Sequence, residues 1–453
     1  MTLYSLFTPE MIILLATVFA GLIFIFLITN RDFTQGIYIW LLSVLFFKYM
    51  KINMSGLILP DISLERILFV ILVTMFIFEV LVNKRGLFSP TGIEYSMLLF
   101  LLAAILSMIF KGVILKEYER LQIGELLTGY IYPFVIFFVS KNVYDTAYKR
   151  EGFIKFIILI GLYLSFTAIF EHFRISELVF PRYIMDPSFG IHFGRARGPF
   201  AMAAANGTVL GFVFLSCFYF LFNYKGISLW KSCSSILLIL TPVALFFTYT
   251  RGPWVACLLG FIVLLVFSKS NRKKILLLAF ILLCIAGLLC LFFTLDRDTA
   301  DNIYMRIHEK EPIYDRLNLY TAYINMFMEH PFFGIGFGRF LTYVEDYIVN
   351  TYGKYSFPLS GIAIHDSFTG ILAEMGLSGL ILILTVYFLI LSKAIKLYKR
   401  FAASERDNSV FVVVFLGFMT VYLVNSIFTG MRYFEFVNSL FFIFAGAICR
   451  MEK

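Results

Sequence analysis

The sequence predicts an all-α polytopic integral membrane protein with about 12–14 transmembrane helices. Of its 453 residues, 60% are hydrophobic, only 15% are charged and 55 are Phe. A soluble domain averages about 25% charged residues and is less than half apolar. A water-soluble chain could not cover this much apolar surface with polar groups, so lipid must be the solvent over much of the length.

About thirteen apolar stretches approach the roughly 20 residues that a helix needs to cross a bilayer. They lie near residues 11–29, 37–50, 66–83, 95–113, 125–140, 152–173, 199–223, 234–250, 253–268, 273–294, 366–393, 408–428 and 433–449. The first stretch lacks a basic region and a small-residue cleavage site, so we expect a membrane segment there rather than a secretory signal. Because no repeat and no Gly/Ser linker divides the chain, residues 1–453 are predicted to form a single transmembrane domain.

Basic residues occupy every second loop between these stretches. They are Lys84, Arg85, Lys141, Lys149, Arg150, Lys225, Lys231, Lys269, Arg272, Lys273, Lys274, Lys393, Lys396, Lys399 and Arg400. Since Lys and Arg accumulate in cytoplasmic loops, the alternate loops are expected to face outward. Those outward loops lie near 111–124, 174–198, 250–252, 295–365 and 429–432. The net charge of +9 is then explained by topology, and nucleic acid is not an expected partner.

The longest polar stretch, residues 295–365, is predicted to be a large periplasmic or extracellular loop that carries short surface helices. All five histidines lie in outward segments or at their edges: His172, His192, His308, His330 and His365. A pump more often places titratable groups within its spans. The candidate chemistry is therefore expected at the outer membrane–water boundary.

The sequence disfavours disulfide and metal chemistry. Its six cysteines lie in or beside apolar runs without a CxxC pair, which is typical of small core residues. Asp296 and Asp298 have the Asp-x-Asp spacing with which some glycosyltransferases hold a divalent cation, but solvated charge is common where a span meets water. No HExxH or GxSxG motif indicates a zinc or serine hydrolase. We expect no metal and no other cofactor.

Three outward arginines are candidate ligands of a pyrophosphate group. Arg195 and Arg197 lie in a Gly-Arg-Ala-Arg-Gly-Pro segment before a span that carries Asn206, and Arg251 lies in a very tight connection beside Trp254. A guanidinium offers a planar fork of donors to phosphate oxygens, and flanking glycines allow close approach. The alternative is an interfacial arginine anchored to lipid phosphates, with Trp254 in the aromatic belt.

A surface helix is predicted after Tyr314-Asp-Arg316. Its apolar residues recur at spacings of three and four, namely Leu317, Tyr320, Ile324 and Met328. The helix is too short and too polar to span, so we expect it to lie at the membrane surface. Beyond His330, Pro331 and three glycines, which include Gly334 and Gly336, predict a turn. This GxGxG cluster follows a helix rather than a strand, so it is not a dinucleotide-binding fingerprint.

The segment His365-Asp-Ser-Phe lies at the start of a predicted span. Asp366 or Ser367 is a candidate helix N-cap that holds His365 on the outer face. An imidazole that titrates near neutrality can take a proton from a sugar hydroxyl, although a lone interfacial histidine is more often simply polar. Glu374 lies inside the span, so it should face a partner or a cavity, or form a structural hydrogen bond within the bundle.

Taken together, these motifs and their order resemble the bacterial O-antigen ligase and surface-polysaccharide polymerase family. The matching pieces are Arg-Gly-Pro-Phe with the downstream Asn206, Thr-Arg-Gly-Pro-Trp at 250–254, Asp315-Arg316, His330-Pro-Phe-Phe-Gly-Ile-Gly, His365-Asp-Ser-Phe and Glu374-Met-Gly. The likeness covers residues 190–395 in detail and the remainder by hydropathy alone. The family usually has Asn after the histidine, where this chain has Asp366.

The resemblance implies a membrane glycosyltransferase of the bacterial cytoplasmic (inner) membrane that is metal-independent and inverting. The donor would be an oligosaccharide on undecaprenyl pyrophosphate, held by Arg197 and Arg251 with Arg316. His365 would deprotonate the acceptor hydroxyl, which belongs to another lipid-linked glycan for a polymerase or to lipid A–core for a ligase. Membrane lipids, a flippase and a chain-length regulator are further implied partners.

Two other functions use the same lipid-linked glycan. A protein O-oligosaccharyltransferase differs only in its acceptor. A transporter or flippase predicts inverted repeats and charges near mid-bilayer, whereas the charges of this chain lie at the outer boundary. A scaffold without chemistry would leave the clustered outward arginines unexplained.

Overall fold

The structure is a computed structural model that describes residues 21, 32–49, 51–52, 61–82, 86–87, 89–110, 117–223, 228–268, 311–349, 364–404 and 406–451. The predicted spans near 11–29 and 273–294 lie outside the described residues. Asp296, Asp298 and most of the predicted loop outside 311–349 also lie outside them.

Helices make up nearly all of the regular structure in the described residues, which confirms the all-α class. They are α1 (Phe33–Phe46), α2 (Leu64–Val82), α3 (Gly92–Phe110), α4 (Glu117–Leu126), α5 (Tyr132–Val143), α6 (Ala147–His172), α7 (Ala203–Asn223), α8 (Leu229–Phe247), α9 (Arg251–Phe267), α10 (Glu311–Glu329), α11 (Phe340–Tyr347), α12 (Ser367–Ser404), α13 (Arg406–Phe428) and α14 (Glu435–Arg450). One π-helical turn, Leu127–Ile131, joins α4 to α5.

Short elements complete the described part of the chain. They are the 3-10 turns Ser176–Leu178, Arg182–Met185, Gly198–Phe200 and Met431–Tyr433, and the strands β1 (Lys51–Ile52) and β2 (Ile62–Ser63). The two strands are antiparallel, with Lys51 opposite Ser63.

Eleven of the thirteen predicted spans coincide with helices, and the other two fall outside the described residues. In the described part of the chain, seven helical segments are long and apolar enough to cross a membrane: Gly92–Phe110, Gln122–Val143, Ala147–His172, Ala203–Asn223, Leu229–Phe247, Ser367–Ala402 and Asp407–Phe428. Shorter apolar helices are α1 and α9. Helix α12 continues beyond its predicted end near residue 393, because the basic residues in its last turns can reach water.

Small residues allow the central helices to approach closely. Gly260 of α9 and Gly417 of α13 face each other, and a β-carbon on Gly260 would lie 2.9 Å from the Gly417 carbonyl oxygen. Leu215 of α7 packs against both positions. Without a hydrophobic driving force between helices in lipid, such close backbone packing is a principal source of association. Helices α7 and α14 lie in the core of the described bundle, since nearly all of their side chains are buried.

Loops predicted to be cytoplasmic meet at one end of the bundle. The Arg150 guanidinium donates to the Asn408 side-chain oxygen at 3.2 Å, which links the start of α6 to the start of α13. Lys149 lies 3.5 Å from Asp32. The Lys155 ammonium group lies 5.5 Å from the centre of the Trp230 ring. Of the basic residues that predicted this side, Lys149 and Arg150 therefore lie where the starts of α1, α6 and α13 meet.

Candidate functional site

Loops predicted to face outward meet at the opposite end of the bundle. Ala196 in the loop before α7 donates its N–H to the carbonyl of Phe247 at the end of α8, at 2.9 Å. The Ser367 hydroxyl at the start of α12 donates to the Thr429 carbonyl after α13, at 2.9 Å. The motifs singled out from the sequence lie in these loops.

Arg197 is an internal anchor of the Arg-Ala-Arg-Gly-Pro loop. Its side chain is fully buried, and its guanidinium donates to the carbonyls of Ile184 at 2.8 Å, Asp186 at 3.1 Å and Phe189. The Glu171 carboxylate lies 3.7 Å from Arg197 Nε. These protein oxygens take up a charge that would be costly to bury alone. The observed geometry thus directs Arg197 towards the protein rather than towards a ligand.

Two further side chains hold the same loop. Glu171 accepts the Gly198 N–H at 2.9 Å, and the Asn206 amide donates to the Ala196 carbonyl at 3.0 Å. Gly198 has φ +56°, and a β-carbon there would lie 3.0 Å from the Asn206 side-chain oxygen. Glycine is therefore required at this position for conformation and for space. Arg195, which precedes these contacts in the loop, is half-buried.

Two tyrosine hydroxyl groups donate hydrogen bonds to backbone carbonyls at the end of the same loop. The Tyr49 hydroxyl donates to the Phe200 carbonyl and the Tyr183 hydroxyl to the Pro199 carbonyl, each at 2.7 Å. The two rings lie edge to face, with centroids 5.2 Å apart. Both tyrosines were missed by sequence reasoning, because neither lies beside the motif that it supports.

Arg251 is presented at the rim of this end of the bundle. It is the first residue of α9, is exposed, and follows α8 after only three residues. Trp254 fixes the connection, because its indole N–H donates to the Leu245 carbonyl at 2.7 Å. The predicted tight connection is confirmed. A helix N-terminus adds its own partial positive charge to that of Arg251.

Arg316 on α10 lies close enough to Arg251 for their two positive charges to interact. Its pKa is lowered by desolvation and by the positive charge of Arg251, while Tyr320 opposes the shift. Its side chain is nevertheless solvent-exposed, which places it at a crowded rim rather than in the core. Within the described part of the chain, neither Arg251 nor Arg316 forms an ion pair with a carboxylate.

His365 is half-buried and lies within reach of the charge of Arg316. Burial and the charge of Arg316 lower the pKa of its imidazole to about 4, against a weaker opposing effect of Asp315. The imidazole is therefore neutral at physiological pH. Its backbone is held by tyrosines: the His365 N–H donates to the Tyr323 hydroxyl at 3.3 Å, and the preceding Ile364 N–H donates to the Tyr433 hydroxyl at 3.4 Å.

Asp366 is the N-cap of α12. Its carboxylate accepts the N–H groups of Phe368 at 2.8 Å and Thr369 at 3.2 Å, as expected for this position. The Tyr320 hydroxyl donates to its other oxygen at 3.1 Å. Burial raises the pKa of Asp366 and these hydrogen bonds oppose the rise. The residue that replaces the usual Asn of the family therefore performs a structural task here, next to His365.

The glycine turn after α10 fits into a break in α12. Gly376 has φ +64° and ψ −159°, so two helical segments meet there. The N–H groups of Ile335 and Gly336 donate to the carbonyls of Ala373 at 3.0 Å and Glu374 at 2.9 Å. In return, Leu377 and Ser378 donate to the carbonyls of Pro331 and Phe332 at 2.8 Å and 3.2 Å. The turn thus satisfies backbone groups that the break would leave without partners.

His330 and Gly334 belong to the backbone of that turn. Gly334 has φ +65° and donates its N–H to the His330 carbonyl at 3.0 Å. The His330 imidazole lies 3.6 Å from Glu329 of its own helix. The observed contacts of His330 are therefore local to the turn, and they do not link its ring to His365.

Glu374 is part of a buried ion cluster. Arg432, in the connection between α13 and α14, donates to both of its carboxylate oxygens, at 2.5 Å and 3.1 Å, and lies 3.0 Å from Glu125. Glu374 also accepts the Phe340 N–H at 3.0 Å. The expected partner of Glu374 is thus an arginine. Arg432 and Glu125 were missed, although a charged residue in a short connection between spans is the same signal that singled out Arg251.

Among the described residues, no group of three or more His, Cys, Asp or Glu side chains could hold a metal ion.

A search of curated proteins found no match. A comparison with protein families matched residues 236–384 to the family described as O-antigen ligase. This stretch contains Arg251, Arg316, His365 and Glu374, together with the glycine turn that joins α10 to the break in α12. Residues 236–384 of this polytopic membrane protein are therefore similar to the O-antigen ligase family, which supports the family resemblance carried by the motifs of the chain.

Proposed function

We propose that the protein transfers a glycan from undecaprenyl pyrophosphate to an acceptor hydroxyl at the outer face of the bacterial cytoplasmic membrane. The observation that carries the proposal is the arrangement of two rim arginines beside a half-buried neutral imidazole. The positive charges of Arg251 and Arg316 repel each other, and His365 experiences that of Arg316. A pyrophosphate group relieves this repulsion and matches the donors of both guanidinium groups.

In the proposed reaction, Arg251 and Arg316 bind the pyrophosphate and His365 accepts the proton of the acceptor hydroxyl. The hydroxyl oxygen forms a bond to the anomeric carbon from the face opposite the leaving group. The bond between that carbon and the phosphate oxygen breaks, and its electron pair leaves with undecaprenyl pyrophosphate. The arginines stabilise the charge on that leaving group. The anomeric configuration is inverted, and no metal ion takes part.

The low pKa of His365 suits a base whose substrate is an anion. A general base must be neutral before it accepts a proton, and the surroundings of His365 hold the imidazole neutral down to a pH of about 4. When pyrophosphate neutralises the charge of Arg316, one cause of the low pKa is removed. The imidazole then becomes a stronger base while the donor is bound.

The remaining predicted site residues receive supporting tasks in this proposal. Arg197 and Asn206 fix the loop that carries Arg195, and Arg195 is the third candidate ligand of the donor phosphates. Asp366 caps the helix that carries His365. The turn formed by His330, Gly334 and Gly336 and the buried carboxylate Glu374 hold α10 and α12 together. These contacts position the site without touching the donor.

The acceptor decides the biological role. A polymerase transfers the glycan to another lipid-linked repeat, and a ligase transfers it to lipid A–core. We infer that a flippase supplies the donor to this face, because undecaprenyl-linked glycans are charged and do not cross the bilayer unaided. A chain-length regulator is a partner of the polymerase activity.

A reconstitution assay tests the proposal. The purified protein is supplied with a defined undecaprenyl-pyrophosphate-linked oligosaccharide in the presence of EDTA, and products are followed by mass spectrometry. Wild-type protein should form longer lipid-linked chains, or glycosylated lipid A–core when that acceptor is added, and His365→Ala should form neither. Product from an added protein acceptor alone would identify a protein O-oligosaccharyltransferase. Transport of the intact donor across liposomes without transfer would overturn the proposal.

A further inference from the structure

An apolar ridge on the exposed side of α10 and its following turn has no protein partner among the described residues. Ile324 and Met328, one helical turn apart, are 58% and 72% exposed. Phe332 and Phe333 in the glycine turn are 66% and 73% exposed. The opposite side of α10 packs into a small core through Leu319, Ala322, Tyr323 and Met326. The helix is therefore apolar on two sides, and only one of them is covered.

The ridge continues into the lipid-facing side of α12. Ser378 donates its N–H to the Phe332 carbonyl, and Gly376 packs against the backbone between Phe332 and Phe333. From this point Ile381, Leu384 and Phe388 of α12 are exposed at spacings of three and four. These residues lie within the candidate span Ser367–Ala402, where an exposed apolar side chain contacts lipid.

The depth of the ridge follows from the length of α12. A helix crosses the hydrocarbon core with about 20 residues. Lys393 is the first basic residue near the other end of α12, and the position roughly 20 residues before it is about residue 373. Gly376 and the two phenylalanines beside it therefore lie at the outer boundary of the hydrocarbon. An independent contact agrees, because the Phe337 N–H donates at 3.1 Å to the Ser107 hydroxyl in the last turn of the span α3.

We propose that Ile324, Met328, Phe332 and Phe333 form a membrane anchor that inserts into the boundary between headgroups and acyl chains of the outer leaflet. Glu329 and His330 lie between the two halves of the ridge, so insertion stops at headgroup level. The anchor fixes the depth of α10, which carries Arg316 three turns before Met328. This inference concerns lipid contact alone and does not require that the protein transfer glycans.

Photocross-linking in lipid tests the anchor directly. The full chain is placed in nanodiscs of phosphatidylethanolamine and phosphatidylglycerol, with p-benzoylphenylalanine at the position of Phe333 or, in a second variant, of Met328. After irradiation, mass spectrometry of the digested protein should find phospholipid adducts at both positions. The matched control places the same probe at Glu345, an exposed polar position on the neighbouring α11, where no lipid adduct is expected.

A probe at the position of Ile381 provides the positive control for lipid within the span. Adducts there without adducts at the positions of Phe333 and Met328 would overturn the proposal. A cross-link to a second copy of the chain at those positions would also overturn it, because the ridge would then be a protein interface. The assay needs no donor, so its failure is independent of any failure of the transfer assay.

Discussion

Three arginines to which the family resemblance assigns the donor pyrophosphate, namely Arg197, Arg251 and Arg316, have different surroundings. Arg197 is fully buried and donates to three carbonyls of its own loop, whereas Arg251 is exposed at a helix start. Arg316 shares the electrostatic environment of Arg251. An arginine whose donors are already used for protein oxygens has little left for a phosphate. In the proposed reaction, Arg251 and Arg316 are therefore better placed than Arg197 to contact the donor phosphates.

Arg251→Gln should raise the KM for the lipid-linked donor by about 10-fold or more, since a charge-assisted contact to phosphate contributes roughly 1.5–3 kcal/mol. Thermal stability should change little, because the side chain is exposed. Donor titrations in the transfer assay measure the effect. Arg182→Gln, which removes an exposed arginine from an outward loop, is the control and should leave the KM unchanged. Equal effects of both variants would contradict a specific contact.

The motifs, through their family resemblance, predicted Arg251, Arg316 and His365 as parts of one site, and that site stays a prediction. They could not separate Arg197 from Arg251, because both occur in an Arg-Gly-Pro motif. The two arginines differ because Arg197 contacts the Glu171 carboxylate and the carbonyls of residues 184–189. Glu171 is distant from Arg197 in the sequence, and residues 184–189 reach Arg197 because their loop folds back onto it. Burial of this kind is a tertiary property, and no alternation or motif in the local sequence encodes it.

At the scale of elements, the junction between the glycine turn and the broken helix α12 holds the site together. It joins α10, which carries Arg316, to the segment that begins after His365. The four hydrogen bonds between the turn and the break leave little room for side chains. A β-carbon on Gly376 would collide with the backbone of Phe332, and one on Gly334 would collide with the backbone of Glu374.

Gly376→Ala should lower the melting temperature and the transfer rate, because it adds backbone strain of order 1–3 kcal/mol and a steric collision. Gly194→Ala is the matched control: Gly194 also has a positive φ, +89°, but no atom lies within 4 Å of its β-carbon position. Thermal unfolding in detergent should therefore show a larger loss for Gly376→Ala. A larger loss for Gly194→Ala would contradict the packing described for the turn.

The buried ion cluster links the connection between α13 and α14 to the same junction. Arg432→Met would leave Glu125 and Glu374 without their cation and should cost about 3–5 kcal/mol of stability. Adding Glu125→Gln and Glu374→Gln should restore part of the loss, as measured by thermal unfolding. Lys155→Met removes a partly exposed ion pair with Glu151 and should cost only about 1 kcal/mol or less. Similar losses for Arg432→Met and Lys155→Met would show that the cluster is not a structural centre.

Hydropathy was sufficient to predict those described helices that coincide with apolar stretches of the sequence. It could not predict the break in α12, because residues 373–379 lie within one predicted span and contain no proline. Glycine is tolerated in a membrane helix, and the partner turn makes the positive φ of Gly376 favourable. The surface helix was predicted from its periodicity, but the stripe used for that prediction includes Ile324 and Met328, which are exposed rather than buried.

At the scale of the whole molecule, the two sets of loops separate to opposite ends of the bundle. Within the described residues, the start of α6 with Lys149 and Arg150 meets the start of α13 at Asn408, and the loops with the candidate site meet around His365 and Ser367. From the positive-inside rule we expect the candidate site to face outward. The alternation of charge along the sequence predicted this separation, while the convergence of the distant motifs depends on helix packing that the sequence does not reveal.

A membrane-impermeant maleimide tests the orientation in intact cells. Glu177→Cys lies in an outward loop and should be labelled, whereas Tyr148→Cys at the basic end should be labelled only after the cells are opened. Both positions are exposed. Of the described native cysteines, Cys217, Cys257 and Cys449 are buried and Cys233 is partly exposed, so both variants are made in a Cys233→Ser background. The reverse labelling pattern would place the candidate site in the cytoplasm and contradict the proposed donor.

The measurement that tests the central claim most directly is the pH dependence of kcat/KM for wild type and Arg316→Gln. In the proposed reaction His365 is the neutral base, so the rate should fall as the pH drops through its free-enzyme pKa of about 4. Arg316→Gln removes a positive charge that lowers this pKa, so the acid limb should move to higher pH, towards the ordinary histidine value of about 6.5. Arg182→Gln should leave the limb in place. A limb that is the same in Arg316→Gln and in wild type would contradict a site in which Arg316 acts on His365.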